Sequence, residues 1–301
     1  IEQSKKRKST QYKKFKKVNI FVSSAALKNN SIAKVSKKFE NAGIKNIEFS
    51  GGLYERNVLK KLKKLQKKQN ILIHNYFPRP KKDFVLNLAS ANKFILKKTE
   101  AFIKKSILLC SKLNIKYYSF HAGFLIDPKI RMLGKKIKKT SIQNRDESLK
   151  RFILRTNKLA RFAKKHNVEL LIENNVLSKK NYLVFKNNPL LMTSYQEMIK
   201  IMKNTPNNVN LLIDVGHLKV SAKTLKFNMK NTLSKVSKWV KGYHLSENNG
   251  LEDSNNFLKS KSWFLKILKT NVDFISLEIY STNLKRIKAQ VNFLKRNLSN
   301  D

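Results

Sequence analysis

Residues 209–217 read Val-Asn-Leu-Leu-Ile-Asp-Val-Gly-His, a short apolar run that ends in an aspartate and is followed three residues later by a histidine. Such nearly continuous apolar runs predict strands that are covered on both faces. The chain contains seven others: Val18–Val22, Ile44–Phe49, Ile71–His74, Ile115–His121, Val168–Glu173, Val240–His244 and Phe274–Glu278.

Lysine-rich amphipathic stretches lie between these runs, with apolar residues recurring at steps of three and four. They predict helices, as in Ser31–Asn41, Leu59–Lys68, Ala91–Leu113, Glu147–Lys165 and Tyr195–Lys203. Eight alternations of strand and helix in about 280 residues are typical of a (β/α)₈ barrel. We therefore predict an α/β protein with a single (β/α)₈ TIM barrel over residues 17–299.

An open, doubly wound sheet is the structural alternative. That fold usually carries a glycine fingerprint after its first strand. Here Val22-Ser23-Ser24-Ala25 follows the first strand, and no GxGxxG motif occurs. The chain also shows no internal repeat and no linker, which favours one domain.

Composition excludes several classes of protein. The chain has 301 residues, 41% of them hydrophobic, and one cysteine, Cys110. Disordered chains, disulfide frameworks and cysteine-rich zinc sites are therefore excluded. The formal net charge of +46 is typical of proteins that bind polyanions. However, the lysines are spread along every helix and accompany abundant Asn and Ile, as AT-rich codons would produce. Both explanations stay open, and either favours anionic substrates at low salt.

The start of the chain has neither a methionine nor an apolar signal core. We expect residues 1–16 to form a basic, mobile leader. There is no uninterrupted apolar run of about 18 residues, so we expect no membrane span and a cytoplasmic protein.

Charged and imidazole side chains stand at the ends of the predicted strands. In a (β/α)₈ barrel the carboxyl ends of the strands form the active site. Four of the five histidines fall at or just after these positions, whereas His166 lies in a helix end that we expect to be solvated. Carboxylates and imidazoles together favour one divalent cation, Mn²⁺, Co²⁺, Mg²⁺ or Zn²⁺. The residues concerned are Glu48, His74, His121, Glu173, Asp214, His217, His244 and Glu278.

Six short motifs in order, one per strand, resemble the xylose isomerase-like TIM-barrel superfamily and its sugar phosphate isomerase/epimerase branch. The resemblance covers about residues 17–295. The motifs are His74-Asn75-Tyr76-Phe77-Pro78, Phe120-His121-Ala122-Gly123, Ile172-Glu173-Asn174, Ile213-Asp214-Val215-Gly216-His217, His244-Leu245-Ser246-Glu247-Asn248 and Ser276-Leu277-Glu278-Ile279.

This resemblance implies an isomerase or epimerase that acts on a sugar or sugar phosphate and depends on a divalent metal. It implies that one metal ion is held by Glu173, Asp214, His244 and Glu278. It further implies that Glu173 and Glu278 are the acid and base, and that His217 contacts a substrate oxygen. The implied reaction removes a proton next to a carbonyl to give an enediolate. A hydride shift between the two carbons is the alternative.

We assign four further residues to substrate binding: His74, His121, Asn174 and Arg79. Arg79 lies in Phe77-Pro78-Arg79-Pro80, after the third strand, where it could clamp a carboxylate or phosphate. A surface arginine held between two prolines is the alternative. The expected partner is a small-molecule sugar or sugar phosphate, with no role for a membrane and none expected for nucleic acid. Analogy with the superfamily suggests a homo-oligomer.

The abasic-site nucleases of the endonuclease IV class belong to the same superfamily and form the main alternative. They hydrolyse phosphodiesters with three zinc ions, and the strand-end residues of this chain resemble their ligands. The nucleases carry an Asp-x-His pair after strand seven, whereas this chain has Asp253-Ser254-Asn255. An amide is a poor zinc ligand, so the third metal site is expected to be incomplete. A sugar-binding barrel without catalysis is the remaining alternative.

Overall fold

The computed structural model describes residues 18–269 and 271–298, and the predicted leader over residues 1–16 lies outside them. Eight strands form a closed barrel in chain order. Each strand pairs in parallel with its neighbours, and the eighth pairs with the first through four residue pairs, from Asn19 with Phe274 to Val22 with Leu277. The prediction of a single (β/α)₈ barrel is therefore confirmed.

The strands are β1 (Asn19–Ser23), β2 (Asn46–Ser50), β3 (Asn70–His74), β4 (Tyr117–His121), β5 (Glu169–Glu173), β6 (Val209–Asp214), β7 (Val240–Leu245) and β8 (Phe274–Leu277). The α-helices among the described residues are α1 (Ile32–Asn41), α2 (Val58–Gln66), α3 (Lys93–Lys112), α4 (Arg145–Lys165), α5 (Lys179–Phe185), α6 (Tyr195–Lys203), α7 (Val215–Leu225), α8 (Met229–Val236) and α9 (Leu284–Asn297). None of these helices is long and apolar enough to cross a membrane.

Strand β2 begins two residues later than its apolar run. The amide of Ile44 donates to the carbonyl of Phe39, and Gly43 adopts a φ of 69°. These features close the carboxyl end of helix α1, because the turn after a helix commonly needs a left-handed residue. Ile44 is thus used to end the helix, and strand pairing starts at Asn46.

Two apolar layers hold the barrel together. The larger layer lies between the strands and the surrounding helices. The smaller one draws on five strands around the barrel, which places it inside; its members are Phe21, Tyr117, Leu171, Leu212 and Phe274, with Leu72 packed against them. Filling of the interior by bulky side chains makes a barrel a packed core rather than a pore.

Polar side chains occupy the next interior positions toward the carboxyl ends. Successive side chains of a strand alternate between its faces, so residues two apart share a face. Glu173 lies two residues beyond Leu171, Asp214 two beyond Leu212, and His74 two beyond Leu72. The alternation that buries the apolar layer therefore also directs these three side chains into the mouth of the barrel.

Candidate active site

Four side chains from four strand ends meet in the mouth. Each offers one ligand atom, and these atoms all lie within 4.8 Å of one another. Nδ1 of His244 is 3.3 Å from Oε1 of Glu173 and 3.0 Å from Oε2 of Glu278. We call Glu173, Asp214, His244 and Glu278 the four-residue group. It contains every residue that the resemblance implies as a metal ligand.

The start of helix α7 fixes Asp214. This residue ends β6 and is the N-cap of the helix, with Oδ1 accepting a hydrogen bond of 2.7 Å from the amide of His217. Capping by aspartate satisfies one of the free amides at the helix start. Its second oxygen, Oδ2, is buried and accepts no hydrogen bond from the described residues. One oxygen therefore sets the side-chain direction, and the other remains for a ligand.

His74 and His121 lie on the other side of Glu173. Nε2 of His74 and Nδ1 of His121 are both 3.3 Å from Oε2 of Glu173. Ser119 contacts Nδ1 of His74 at 2.9 Å, which leaves Nε2 of that ring to face the glutamate. We call His74, His121 and Glu173 the two-histidine group. The two oxygens of Glu173 thus face two adjacent sets of ligand atoms.

His217 joins the four-residue group to the loop after β7. Its Nδ1 lies 2.9 Å from the carbonyl of Asn174 and 3.5 Å from Oε1 of Glu173. Its Nε2 lies 3.2 Å from Oδ2 of Asp253. Asn255 is 1% exposed, and neither polar atom of its side chain has a hydrogen-bond partner among the described residues.

Two residues assigned to substrate binding have other partners in this structure. The side chain of Asn174 accepts from the amide of Asp214 at 2.8 Å and donates to its carbonyl at 3.0 Å, which ties β5 to β6. The guanidinium of Arg79 donates to the carboxylate of Asp83 and to the carbonyl of Gly52. To clamp a substrate anion, Arg79 would have to exchange these partners, and its role remains a prediction.

Glu48 is a strand-end residue that the sequence analysis grouped with the candidate metal-site residues but to which it gave no separate role. It lies on β2, is 1% exposed, and its Oε1 is 2.8 Å from Nε2 of His244. Its position near the end of an apolar strand was the available signal. The contact partner could not be read from the sequence, because strands β2 and β7 are not neighbours in the barrel.

Burial and the neighbouring histidines shift the pKa values of Glu173 and Asp214 in opposite directions. Burial raises the pKa of Glu173, but His121, His244 and His74 outweigh it and hold this pKa well below its usual range. Burial raises the pKa of Asp214 to about 7. At neutral pH, therefore, Glu173 is ionised and Asp214 lies close to its midpoint.

The histidines divide into two kinds. Burial lowers the pKa of His74 and of His121, so both rings are neutral at pH 7 and can offer a lone pair. Burial also opposes the charged forms of His217 and His244, but facing carboxylates outweigh it and raise both pKa values. Asp214 and Asp253 act on His217, whereas Glu48 and Glu173 act on His244.

The donor set fits a divalent cation. Both oxygens of Glu173, Oδ2 of Asp214 and Nδ1 of His244 are buried and have no hydrogen-bond partner among the described residues. Buried charged groups are costly unless they are paired or coordinate a metal. Three carboxylates and one imidazole suit Mn²⁺, Co²⁺, Mg²⁺ or Zn²⁺.

Comparison with known proteins gives the family. The family model described as the xylose isomerase-like TIM barrel matches residues 37–297, and the chain therefore belongs to this family. None of the curated proteins matches the chain.

Similar solved structures share the fold at low sequence identity. They include a D-tagatose 3-epimerase-like protein, with 18% identity, a TM-score of 0.71, and coverage of 93% of this chain and 97% of that one. An L-ribulose 3-epimerase has 15% identity and a TM-score of 0.68, with 94% and 95% covered. A 3-keto-D-glucoside 4-epimerase from E. coli has 10% identity and a TM-score of 0.67, with 93% and 100% covered.

Proposed function

We propose that this protein is a divalent-metal-dependent isomerase or epimerase of a sugar or sugar phosphate. The observation that carries the proposal is the four-residue group, in which two glutamates share one buried cluster with an aspartate and a histidine. The similar structures named above are sugar epimerases or epimerase-like, which supports a sugar as the substrate class. Their identity to this chain is too low to carry the activity by itself.

Glu173, Asp214, His244 and Glu278 would hold the cation. When bound there, a divalent cation acts as a Lewis acid on a carbonyl and an adjacent hydroxyl, and so acidifies the carbon-bound proton between them. Three of the four residues, Glu173, Asp214 and His244, are each 0% exposed and so are shielded from bulk solvent. Glu278, with 13% of its side chain exposed, lies on the open side where a substrate would enter.

Glu173 and Glu278 would move a proton at two faces of a bound sugar. They come from β5 and from the residue after β8, three strands apart in a closed barrel of eight. One carboxylate removes the proton from the carbon that carries the hydroxyl, giving an enediolate. The other carboxyl group returns a proton. Return to the opposite face of the same carbon is epimerisation, and return to the neighbouring carbon is isomerisation.

His217 would orient a substrate oxygen. Asp253 and the carbonyl of Asn174 hold its two ring nitrogens, so the ring is fixed beside the four-residue group. To donate to a substrate oxygen, Nε2 would exchange Asp253 for that oxygen, while the carbonyl of Asn174 keeps the ring in place. A donor held next to the reacting carbon shortens the search for a reactive geometry. A phosphate on the substrate would be attracted by the net charge of +46, an effect that weakens as salt is added.

Solvent exchange tests the proposal. The metal-loaded protein is incubated in deuterated water with a panel of ketoses and their phosphates, and deuterium in recovered substrate and product is measured by NMR. We expect turnover of at least one sugar, with deuterium incorporated at the reacting carbon. Turnover without any exchange would indicate a hydride shift and contradict the roles of the two glutamates. No turnover across the panel in a protein that binds metal would contradict the proposed substrate class.

The two-histidine group favours an abasic-site nuclease as a second candidate. A second cation bound by His74 and His121 would share Glu173 with the first, and paired metals are typical of phosphodiester hydrolysis. Metal analysis separates the candidates. One equivalent per chain favours the isomerase or epimerase, three favour the nuclease, and none favours a sugar-binding barrel without catalysis. The cytoplasmic location, the homo-oligomer and the basic leader remain predictions.

A further inference from the structure

Glu48 is a buried carboxylate with a single close partner. Its residue is 1% exposed, and among the ion pairs of the described residues it takes part only in the 2.8 Å contact with Nε2 of His244. Neither oxygen of Glu48 has a further hydrogen-bond partner among the described residues. A carboxylate held in this way costs free energy that an apolar side chain would not.

His244 presents its two nitrogens to two different environments. Nδ1 faces Glu173 and Glu278 at 3.3 and 3.0 Å, on the side of the four-residue group. Nε2 faces Glu48 on the opposite edge of the ring. The ring is 0% exposed, so bulk solvent does not reach either nitrogen.

A histidine that binds a cation through one nitrogen carries its proton on the other. Ligating histidines almost always donate that proton to a carboxylate, a carbonyl or a water, which fixes the tautomer and the direction of the ring. No well-formed hydrogen bond from another described residue reaches Nε2 of His244, so Glu48 is the available acceptor.

We propose that Glu48 is a positioning residue, which keeps the proton of His244 on Nε2 and directs the Nδ1 lone pair at the cation. It acts through His244 and does not touch the substrate. The proposal rests on the proposed function only in requiring that a cation occupies the four-residue group. It also accounts for the cost of burying Glu48, since the contact with His244 and a cation bound by the four-residue group together stabilise its charge.

Affinity for Zn²⁺ gives the first test, measured by competition with a chromophoric chelator on the full chain. Glu48→Gln keeps the size and an acceptor oxygen but removes the charge. We expect its Zn²⁺ affinity to fall about 10–100-fold with the number of bound ions unchanged. The matched control is Glu100→Gln, which removes a buried carboxylate that pairs with Arg155 and Lys158 between helices α3 and α4. Its Zn²⁺ affinity should equal that of the wild type.

The tautomer of His244 gives the second test, read from ¹⁵N spectra of the Zn²⁺-loaded protein with labelled histidine. In the wild type we expect Nδ1 bound to zinc and a proton on Nε2. In Glu48→Gln we expect the Nε2 proton signal to shift, because its acceptor has lost its charge. The wild-type spectrum tests the orientation by itself, so this test remains if the variant does not fold.

Three results would overturn the proposal. The first is a wild-type ring bound through Nε2. The second is a Glu48→Gln variant with unchanged Zn²⁺ affinity and an unchanged Nε2 signal. The third is the loss of one bound ion in this variant, which would make Glu48 a ligand. Failure of every sugar to react would contradict the proposed function but leave these measurements intact, whereas a wild type that binds no Zn²⁺ would contradict both.

Discussion

Nδ1 of His244 lies 3.0 Å from Oε2 of Glu278, a contact between the end of strand β7 and the residue after strand β8. The amide of Glu278 donates to the carbonyl of Leu245 at 3.1 Å, so the strand pairing itself sets this distance. Pairing of β8 with β7 therefore brings Glu278 to the other three members of the four-residue group.

Glu173→Gln and Glu278→Gln should each abolish most proton exchange between substrate and solvent. The amide keeps nearly the same shape but cannot accept the proton, and loss of general-base catalysis costs about 10²–10⁴ in rate. Weaker metal binding adds to the loss, so rates are compared at saturating metal. The measurement is deuterium incorporation by each variant and by Glu100→Gln as the control. Full exchange in Glu278→Gln would show that Glu278 takes no part in the proton transfer.

His217→Asn should weaken substrate binding and leave metal content unchanged. The ring nitrogens contact Asn174 and Asp253, and Oδ2 of Asp214 is 3.9 Å away, so His217 lies beside the four-residue group rather than in it. A lost hydrogen bond to a polar substrate group is worth roughly tenfold, or about 1.4 kcal/mol. KM is measured together with bound metal. A variant that loses metal but retains the wild-type KM would contradict this division of roles.

Metal affinity should fall as the pH drops below 7. Burial raises the pKa of Asp214 to about 7, so the metal-free protein carries a proton there at lower pH. A ligating carboxylate must be ionised and a ligating imidazole neutral, so binding displaces a proton from His244, whose pKa is raised, and below pH 7 from Asp214 as well. Asp214 should therefore steepen the fall of the apparent affinity by about a further tenfold for each pH unit below 7. Chelator competition between pH 5.5 and pH 8 measures the slope. A slope that does not steepen below pH 7 would mean that Asp214 is already ionised or does not bind the metal.

Specific incision at an abasic site should be absent. The His217–Asp253 contact could form part of a third metal site, but Asn255 supplies an amide where the nucleases carry a histidine. Binding of DNA through lysine contacts should weaken steeply with salt, because it releases counterions. Incision of an abasic duplex is measured with metal at physiological salt, and an undamaged duplex is the control. Robust incision of the abasic duplex alone would favour the nuclease.

Gly242→Ala should destabilise the barrel by about 1–3 kcal/mol, the usual cost of overpacking a core. A Cβ at residue 242 would lie 2.6–2.9 Å from three ring carbons of Phe274, inside the smaller apolar layer. Urea unfolding measures the change. In a double-mutant cycle with Phe274→Leu, the smaller partner should recover part of the loss. If the two substitutions change the free energy of unfolding additively, the contact with the Phe274 ring is not the cause of the loss.

Much of the fold was predictable because its signals are local. The apolar run Val209–Asp214 and the amphipathic stretch Tyr195–Lys203 coincide with β6 and α6 at both ends. Strand β8 ends one residue short of its run, at Leu277. Runs of apolar residues and three- and four-residue steps depend only on near neighbours in the chain, whereas element ends depend on which backbone groups find partners.

The sequence by itself determined which residues reach the mouth of the barrel. Side chains two apart on a strand share a face, so a run that buries Leu171 and Leu212 inside the barrel also carries Glu173 and Asp214 inward.

Only the tertiary structure decided the contacts between distant strands. Closure of the barrel brings Glu48 of β2 to Nε2 of His244 on β7, and it turns the two oxygens of Glu173 toward different histidines. These choices depend on where strands and loops meet in space and on which nitrogen of a ring faces which carboxylate, and no local pattern in the chain encodes either.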